Sequence, residues 1–440
     1  MTPVSTMLSE PCRKGSTVFF RARPLRIAML SIHSSPLGEL GTGETGGMSV
    51  YIRELSRELG KAGHSIDIYT CADDGQQANE LFLSENVRLT HLRIGRAGDV
   101  TKNSLPGLLP EVSRTLEEHI TNSRTCYDLV HSHYWLSGMA ASLARDKWFT
   151  PHIIMFHTTG IAKRLACSGE KEPNHRLISE RRLAHSSDRI LTATEREKDL
   201  LMRCYGVPRE KIGTVPCGVN TDRFRPVARD QARKELGLQD AGFVVLYVGR
   251  FAPVKGLDRL IGAAAHLRSR RGLTFVVIGG DGLRSPASAE LRRLARKASV
   301  ADTVRFQGRV EHELLPLYYN AADVLVVPSY YESFGLVALE SLSCGTPVIA
   351  TRVGAMDTLI RDGKTGLLID NPAPLSLAAA IERFIEDPSS VSIPHEGIRS
   401  SVLSYDWSHI ASAIVREYRD AIGTSIGGND LTGVRKVCIW

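Results

Sequence analysis

Apolar positions fall into two alternating rhythms along most of the chain. Short runs rich in β-branched and aromatic residues predict strands at Leu25–Ile32, Ser65–Thr70, Val87–Ile94, Asp128–His133, His152–His157, Arg189–Thr194 and Gly213–Pro216. Between them lie stretches with helical spacing, as in Met48–Ala62, where Val50, Ile52, Leu55 and Leu59 recur on one face. The second half repeats the scheme, with strands predicted at Phe243–Gly249, Thr274–Gly279, Val304–Gln307, Val324–Pro328, Pro347–Thr351 and Gly366–Ile369. Helices such as Leu257–Arg268 and Ala287–Ala298 alternate with these strands. A strand as continuously apolar as Val324–Val327 belongs where helices cover both faces of a parallel sheet. The pattern therefore predicts an α/β protein of two doubly wound, Rossmann-like domains. Ligands of such sheets bind beyond the carboxyl ends of the strands, so two facing domains would share a cleft there.

The turn-rich stretch Val215–Pro226, with two prolines and a glycine, marks the boundary. It divides the chain into an N-terminal extension (residues 1–24), a first domain (25–220) and a second domain (221–406). A final helix over Trp407–Ala421 follows, and the Gly-rich, aperiodic residues 423–440 read as a mobile tail. The length of 440 residues suits two domains of roughly 200 each. Hydrophobic residues at 42% and charged residues at 23% exclude wholesale disorder. The 55 Lys and Arg against 48 Asp and Glu leave a net charge of +7, which favours anionic partners without choosing among them. No apolar run is long enough to cross a bilayer, and Met1–Pro24 lacks the layout of a secretory signal. Eight cysteines without a C-x-x-C pair read as reduced thiols, which implies a cytoplasmic protein.

Four constellations carry chemistry. The loop between the first strand and the helix from Met48 contains G-x-G-x-x-G (Gly41, Gly43, Gly46), with Asp73 after the second strand, as a dinucleotide site requires. Eight residues, His33–Leu40, separate that loop from its strand, whereas a dinucleotide fold turns directly. Gly46 and Gly47 at a helix start can instead present backbone N–H groups to a phosphate, or the loop can hold no ligand. Arg250 and Lys255 share the loop after a strongly apolar strand, where a fork and a point charge together neutralise a pyrophosphate without a metal. In the string Ser329–Glu340, Glu332 and Glu340 would stand about 80° apart on one continuous helix. The geometry is better served if Glu332 precedes a helix starting near Ser333–Leu336, with Gly335 allowing an anion close to the free N–H groups. Glu340, inside that helix, can accept hydrogen bonds from a ribose diol. Last come the strand-end histidines: His131 and His133 share a face, which makes a metal pair conceivable although no third ligand is evident, and His157 closes its strand.

These pieces together resemble the retaining glycosyltransferases of family four, over nearly the whole chain from Arg26 to about Ala421. Within that family they are similar to a subgroup acting on inositol phosphate or making sucrose phosphate, through Ser34–Leu37, Gly46–Met48 and His131–Gly138. The resemblance implies a GT-B fold, in which residues 407–422 cross back to the first domain. It implies that Gly46 and Gly47 approach the donor phosphates while Arg250 and Lys255 hold the diphosphate. Glu332 and the backbone of Phe334, Gly335 and Leu336 would contact the donor sugar, Glu340 the ribose, and Arg309 and Val310 the base. His157 would sit against the sugar at the reacting centre. Lys102, Tyr134, Thr158 and Arg176 would hold an acceptor phosphate. The implied reaction moves a hexose from a UDP-linked or other nucleotide sugar to a small phosphorylated sugar or inositol, with the leaving phosphate assisting deprotonation of the acceptor. No cofactor or obligatory metal is expected.

Three other functions compete: an NAD-dependent oxidoreductase, a non-catalytic nucleotide-sugar binder, and a family enzyme with a lipid or polysaccharide acceptor. Loop length weighs against the first and the assembled cations and carboxylates against the second. The partners expected are a nucleotide sugar and a phosphorylated acceptor, with a homodimer allowed and no nucleic acid. Basic clusters such as Arg292–Lys297 read as solvated faces, and no basic–aromatic amphipathic helix in the first domain calls for a membrane surface.

Overall fold

A computed structural model describes residues 23–38, 45–71, 80–95, 100–148, 150–166, 172–280, 282, 285–371, 373–387 and 394–427. Gly41, Gly43, Asp73, most of the N-terminal extension and the end of the tail lie outside these residues.

The first sheet contains β1 (Arg26–Leu30), β2 (Ser65–Thr70), β3 (Glu80–Ser84), β4 (Val87–His91), β5 (Leu129–His133), β6 (His152–Met155), β7 (Arg189–Thr192) and β8 (Ile212–Thr214). Their order is β3-β4-β2-β1-β5-β6-β7-β8, parallel except for β3, which pairs antiparallel with β4 at the edge. The second sheet contains β9 (Phe243–Val248), β10 (Leu273–Ile278), β11 (Val304–Gly308), β12 (Val324–Val327), β13 (Val348–Thr351) and β14 (Gly366–Ile369). It is wholly parallel in the order β11-β10-β9-β12-β13-β14. Both sheets thus reverse direction once, between β1 and β5 and between β9 and β12, and a crevice opens at each reversal.

The doubly wound expectation holds, with three corrections. Strand β3 escapes the hydrophobic pattern because Glu80–Ser84 is an edge strand with Phe82 four-fifths exposed, so no buried face marks it. Most strands end one to three residues before their apolar run does, because the last residues leave the ladder to line the cleft. The final helix runs over Trp407–Gly427, so residues 423–427 of the expected tail are helical. That helix packs on the helix Gly47–Lys61 of the first domain, with Trp407 edge-on to Tyr51 at 5.3 Å and Tyr418 reaching His131. The backbone crosses between sheets over residues 215–227, and Arg399 pins that crossing by donating to the carbonyls of Thr221 and Phe224.

Candidate active site

At the β1/β5 reversal, the ends of β5 and β6 turn sharply. Tyr134 and His157, the residues that leave these strands, adopt φ of 71° and 58°. Left-handed backbone costs a non-glycine residue about 1–2 kcal/mol, and such strain gathers where a side chain must be aimed. Here it aims Tyr134 and His157 into the crevice. Behind them stand His131 and His133, both fully buried. Tyr418 OH is 2.8 Å from His131 Nδ1, the His131 and His133 rings lie 4.2 Å apart, and His133 Nδ1 is 2.9 Å from His157 Nε2. Burial pushes His131 and His157 down to about 3, and neighbouring histidines add to the effect. His133 thus bonds to His157, whereas His131 bonds to Tyr418. Among the described residues no three His, Cys, Asp or Glu side chains are grouped to hold a metal ion.

Tyr134 has two cations near its ring. Lys102 Nζ lies 5.7 Å and the Arg176 guanidinium 4.9 Å from its ring centre. Arg176 is far from an ordinary surface cation, since it is 2% exposed. It donates to Glu180 Oε1 at 2.7 Å, Glu172 Oε2 at 2.7 Å and the Thr158 carbonyl at 2.7 Å. The four residues expected around an acceptor phosphate are therefore brought together, with Glu172 already an anionic partner of the cluster. His33, after β1, stacks on Tyr134 with ring centres 4.4 Å apart. Burial, then Lys102 and Arg176, push its imidazole down to about 3. His33 was absent from the sequence-based site, although its place beside the glycine loop is the same strand-end signal that picked out His157.

Across the cleft, the β9/β12 reversal presents the second set. The loop after β9 carries Arg250 and Lys255, and Gly256 (φ 67°) lets it nest against β12, since a Cβ there would lie 2.0 Å from the Pro328 carbonyl oxygen. Lys255 Nζ meets Glu332 Oε1 at 2.7 Å, and Ser329 Oγ donates to the same oxygen at 2.9 Å. Glu332 precedes the helix Leu336–Ser343, and Gly335 at its cap has φ 113°, a left-handed turn that a side chain resists. Phe334 is buried at 3%, so only its backbone can serve the cleft. Glu340 lies inside the helix, 5% exposed, with His312 Nε2 at 2.9 Å from Oε1 and the Tyr319 hydroxyl donating to Oε2 at 2.7 Å. Each oxygen keeps a lone pair for a further donor. Arg309 and Val310 are half-buried in the loop after β11, where Arg309 lies 3.6 Å from Glu311.

The two sets meet. A Cβ on Gly46 would lie 3.8 Å from Arg250 Nε, and one on Gly47 would lie 3.3 Å from Leu336 Cδ1. The glycine pair thus caps the helix Gly47–Lys61 directly opposite the diphosphate-binding candidates. Tyr331, inside the carboxylate string, lies against Thr158 of the first domain. Tyr331, His312 and Tyr319 were missed from sequence, because a tyrosine or histidine with no periodic context carries no mark of the partner it will meet.

The chain's first part, residues 45–223, matches the family described as Glycosyltransferase Family 4, and residues 228–399 match Glycosyl transferases group 1. It is 40% identical over 410 residues to a D-inositol 3-phosphate glycosyltransferase of Catenulispora acidiphila, covering 91% of this chain and 96% of that one. A D-inositol 3-phosphate glycosyltransferase of Salinispora arenicola is 38% identical, with 91% and 93% covered. Among solved structures, a sucrose-phosphate synthase of Thermosynechococcus elongatus superposes with a TM-score of 0.83 at 31% identity, over 91% of this chain and 100% of that one. With its two facing α/β domains and its cations and carboxylates gathered between them, the chain belongs to the family-four glycosyltransferases and has the GT-B fold.

Proposed function

We propose that the protein transfers a hexose from a nucleoside diphosphate sugar, with UDP as the nucleotide, to a small phosphorylated inositol or sugar, with retention of configuration. The observation that carries this reading is the facing of two cation sets: Lys102 and Arg176 around Tyr134 on one wall, Arg250 and Lys255 on the other. One monoester phosphate and one diphosphate fit that division of charge. The relatives named for inositol 3-phosphate and sucrose phosphate agree with it.

Transfer breaks the bond between the sugar and the diphosphate, and negative charge grows on the leaving oxygen. Arg250, Lys255 and the N–H groups after Gly335 are preorganised for that charge. Glu332, held by Lys255 and Ser329, serves as a fixed acceptor for sugar hydroxyls, not as a free nucleophile. His157, kept neutral at physiological pH, offers the sugar a hydrogen-bonding edge without competing for the acceptor proton. The acceptor hydroxyl attacks from the face the diphosphate leaves, and the departing phosphate oxygen takes its proton. Because Arg250 and Lys255 supply the charge otherwise brought by a metal, the reaction is proposed to be metal-independent. Full activity in EDTA is expected, and loss restored by magnesium would contradict this. The described cysteines Cys71, Cys126, Cys204, Cys217 and Cys344 are free thiols, which supports placing the reaction in the cytoplasm. Proton NMR of the product tests the retaining step: the new linkage should keep the donor's anomeric configuration, and an inverted product would overturn it.

A further inference from the structure

We infer that His312 positions Glu340 for the donor ribose and couples that carboxylate to the seating of the first domain; this rests on the donor reading above. His312 lies two residues beyond Val310 in the loop after β11, and its ring is 6% exposed. Its Nδ1 faces two guanidinium nitrogens, Arg53 Nη2 at 3.2 Å and Arg223 Nη1 at 3.1 Å. Its Nε2 faces Glu340 Oε1 at 2.9 Å. Arginine only donates, so Nδ1 must carry the lone pair; Nε2 then bears the proton and donates to the carboxylate. The tautomer is set by partners on both sides, and Tyr319 holds the other carboxylate oxygen. Glu340 therefore has one rotamer and two lone pairs left for ribose hydroxyls.

The two arginines come from different places. Arg53 belongs to the helix Gly47–Lys61, whose N-terminus faces the donor phosphates, and Arg223 belongs to the crossing between domains. Both lean on Glu54, 2% exposed, with Arg223 Nη1 at 3.5 Å and Arg53 Nε at 3.8 Å from its Oε1. Glu54, His312 and Glu340 line one small cleft between the domains. Separation of the domains takes Arg53 away and removes one of the two donors that fix the ring. Ribose binding and domain seating are then linked, and each favours the other by the same factor.

The test uses the full chain and isothermal titration with UDP, ADP and GDP to find the nucleotide bound, followed by its 2′,3′-dideoxy form. Wild type should bind the ribose form about tenfold or more tightly, the worth of one hydrogen bond to a charged group. In His312→Leu that ratio should fall towards one, His312→Gln should restore part of it through an amide donor, and Arg53→Ala, which keeps the imidazole but removes one of its two donors, should lower it. A general loss of structure would weaken both nucleotides alike and leave the ratio standing. A wild-type ratio in folded His312→Leu, or in Arg53→Ala should His312→Leu fail to fold, overturns the inference alone. A wild type that binds a nucleotide but ignores the missing hydroxyls overturns the ribose contact and the inference with it. A wild type that binds none of the nucleotides overturns the donor reading on which the inference rests.

Discussion

Replacing Lys255 by alanine separates chemistry from folding. Its Nζ lies 2.7 Å from Glu332 Oε1, and the side chains are 20% and 10% exposed, so the pair sits at the cleft wall and not in the core. On the folding side, the variant loses one charge-assisted hydrogen bond and leaves Glu332 with Ser329 Oγ at 2.9 Å. Water can reach the vacated space, which limits the cost to about 1–2 kcal/mol. For a domain of 150–250 residues, 1 kcal/mol moves Tm by about 2–4 °C, so a fall of several degrees is expected. On the chemical side, Lys255 is proposed as one of two side-chain cations that face the leaving diphosphate. Loss of one preorganised group at a developing charge costs about 2.7–4 kcal/mol, or about 10²–10³ in kcat. The chemical effect thus exceeds the folding effect. Continuous measurement of nucleotide release at saturating donor and acceptor, with a thermal melt of the same sample, reads both quantities. A variant that melts within several degrees of wild type yet turns over at a near-native rate would remove Lys255 from the site. Loss of the cooperative melt would mean that the pair holds the fold and that the reasoning about exposure is wrong.

His157→Ala should keep the melt and lose transfer by about 10²-fold or more, because the sugar loses a fixed partner at the reacting centre; unchanged turnover would make His157 a structural strand-end residue only. Lys102→Ala should raise acceptor KM by about tenfold or more and leave slow donor hydrolysis unchanged, since it removes one charge-assisted contact to a phosphate; an equal rise in donor KM would place Lys102 elsewhere. Stability should fall on acidification, with His131 as the clearest contributor. Its folded pKa, pushed down to about 3 by burial, lies below the unfolded value of 6.5, so the unfolded state binds the proton first. The stability it contributes is whole above pH 6.5 and is lost progressively down to about 3, by at most about 1.4 kcal/mol per pH unit. A His131→Asn variant should show a shallower decline of Tm between pH 7 and 5, and an identical slope would mean that His131 is charged in the folded state.

How far the sequence carries depends on whether a signal is local. Strands such as Ser65–Thr70 and Gly366–Ile369 match their expected bounds because the first alternates polar with β-prone residues and the second is a short apolar run. Lys255 and Glu332 were legible because strand-end loops hold them, and the sheet reversals bring those loops to one cleft. The placement of Glu332 before its helix and Glu340 within it also holds, since Gly335 interrupts the periodicity. Non-local partners were not legible. Nothing near Arg176 announces that Glu172, Glu180 and the Thr158 carbonyl will hold its guanidinium in place. Nor does anything near His312 announce Arg53, which lies 259 residues away. Edge strand β3 was invisible for a different reason: half-exposed on both faces, it has no periodicity to read.

The central claim is that a sugar moves from a nucleotide to a phosphorylated acceptor, and a matrix of substrates tests it most directly. UDP-, GDP- and ADP-sugars are each offered inositol phosphate, fructose 6-phosphate and the same compounds without phosphate, and nucleotide release and product mass are read together. The account predicts release of UDP with a product heavier by one hexose residue, formed with a phosphorylated acceptor and strongly reduced when that phosphate is removed. Equal transfer to the dephosphorylated compounds would contradict the assignment of Lys102, Tyr134, Thr158 and Arg176 to a phosphate and point instead to a neutral or lipid-linked acceptor.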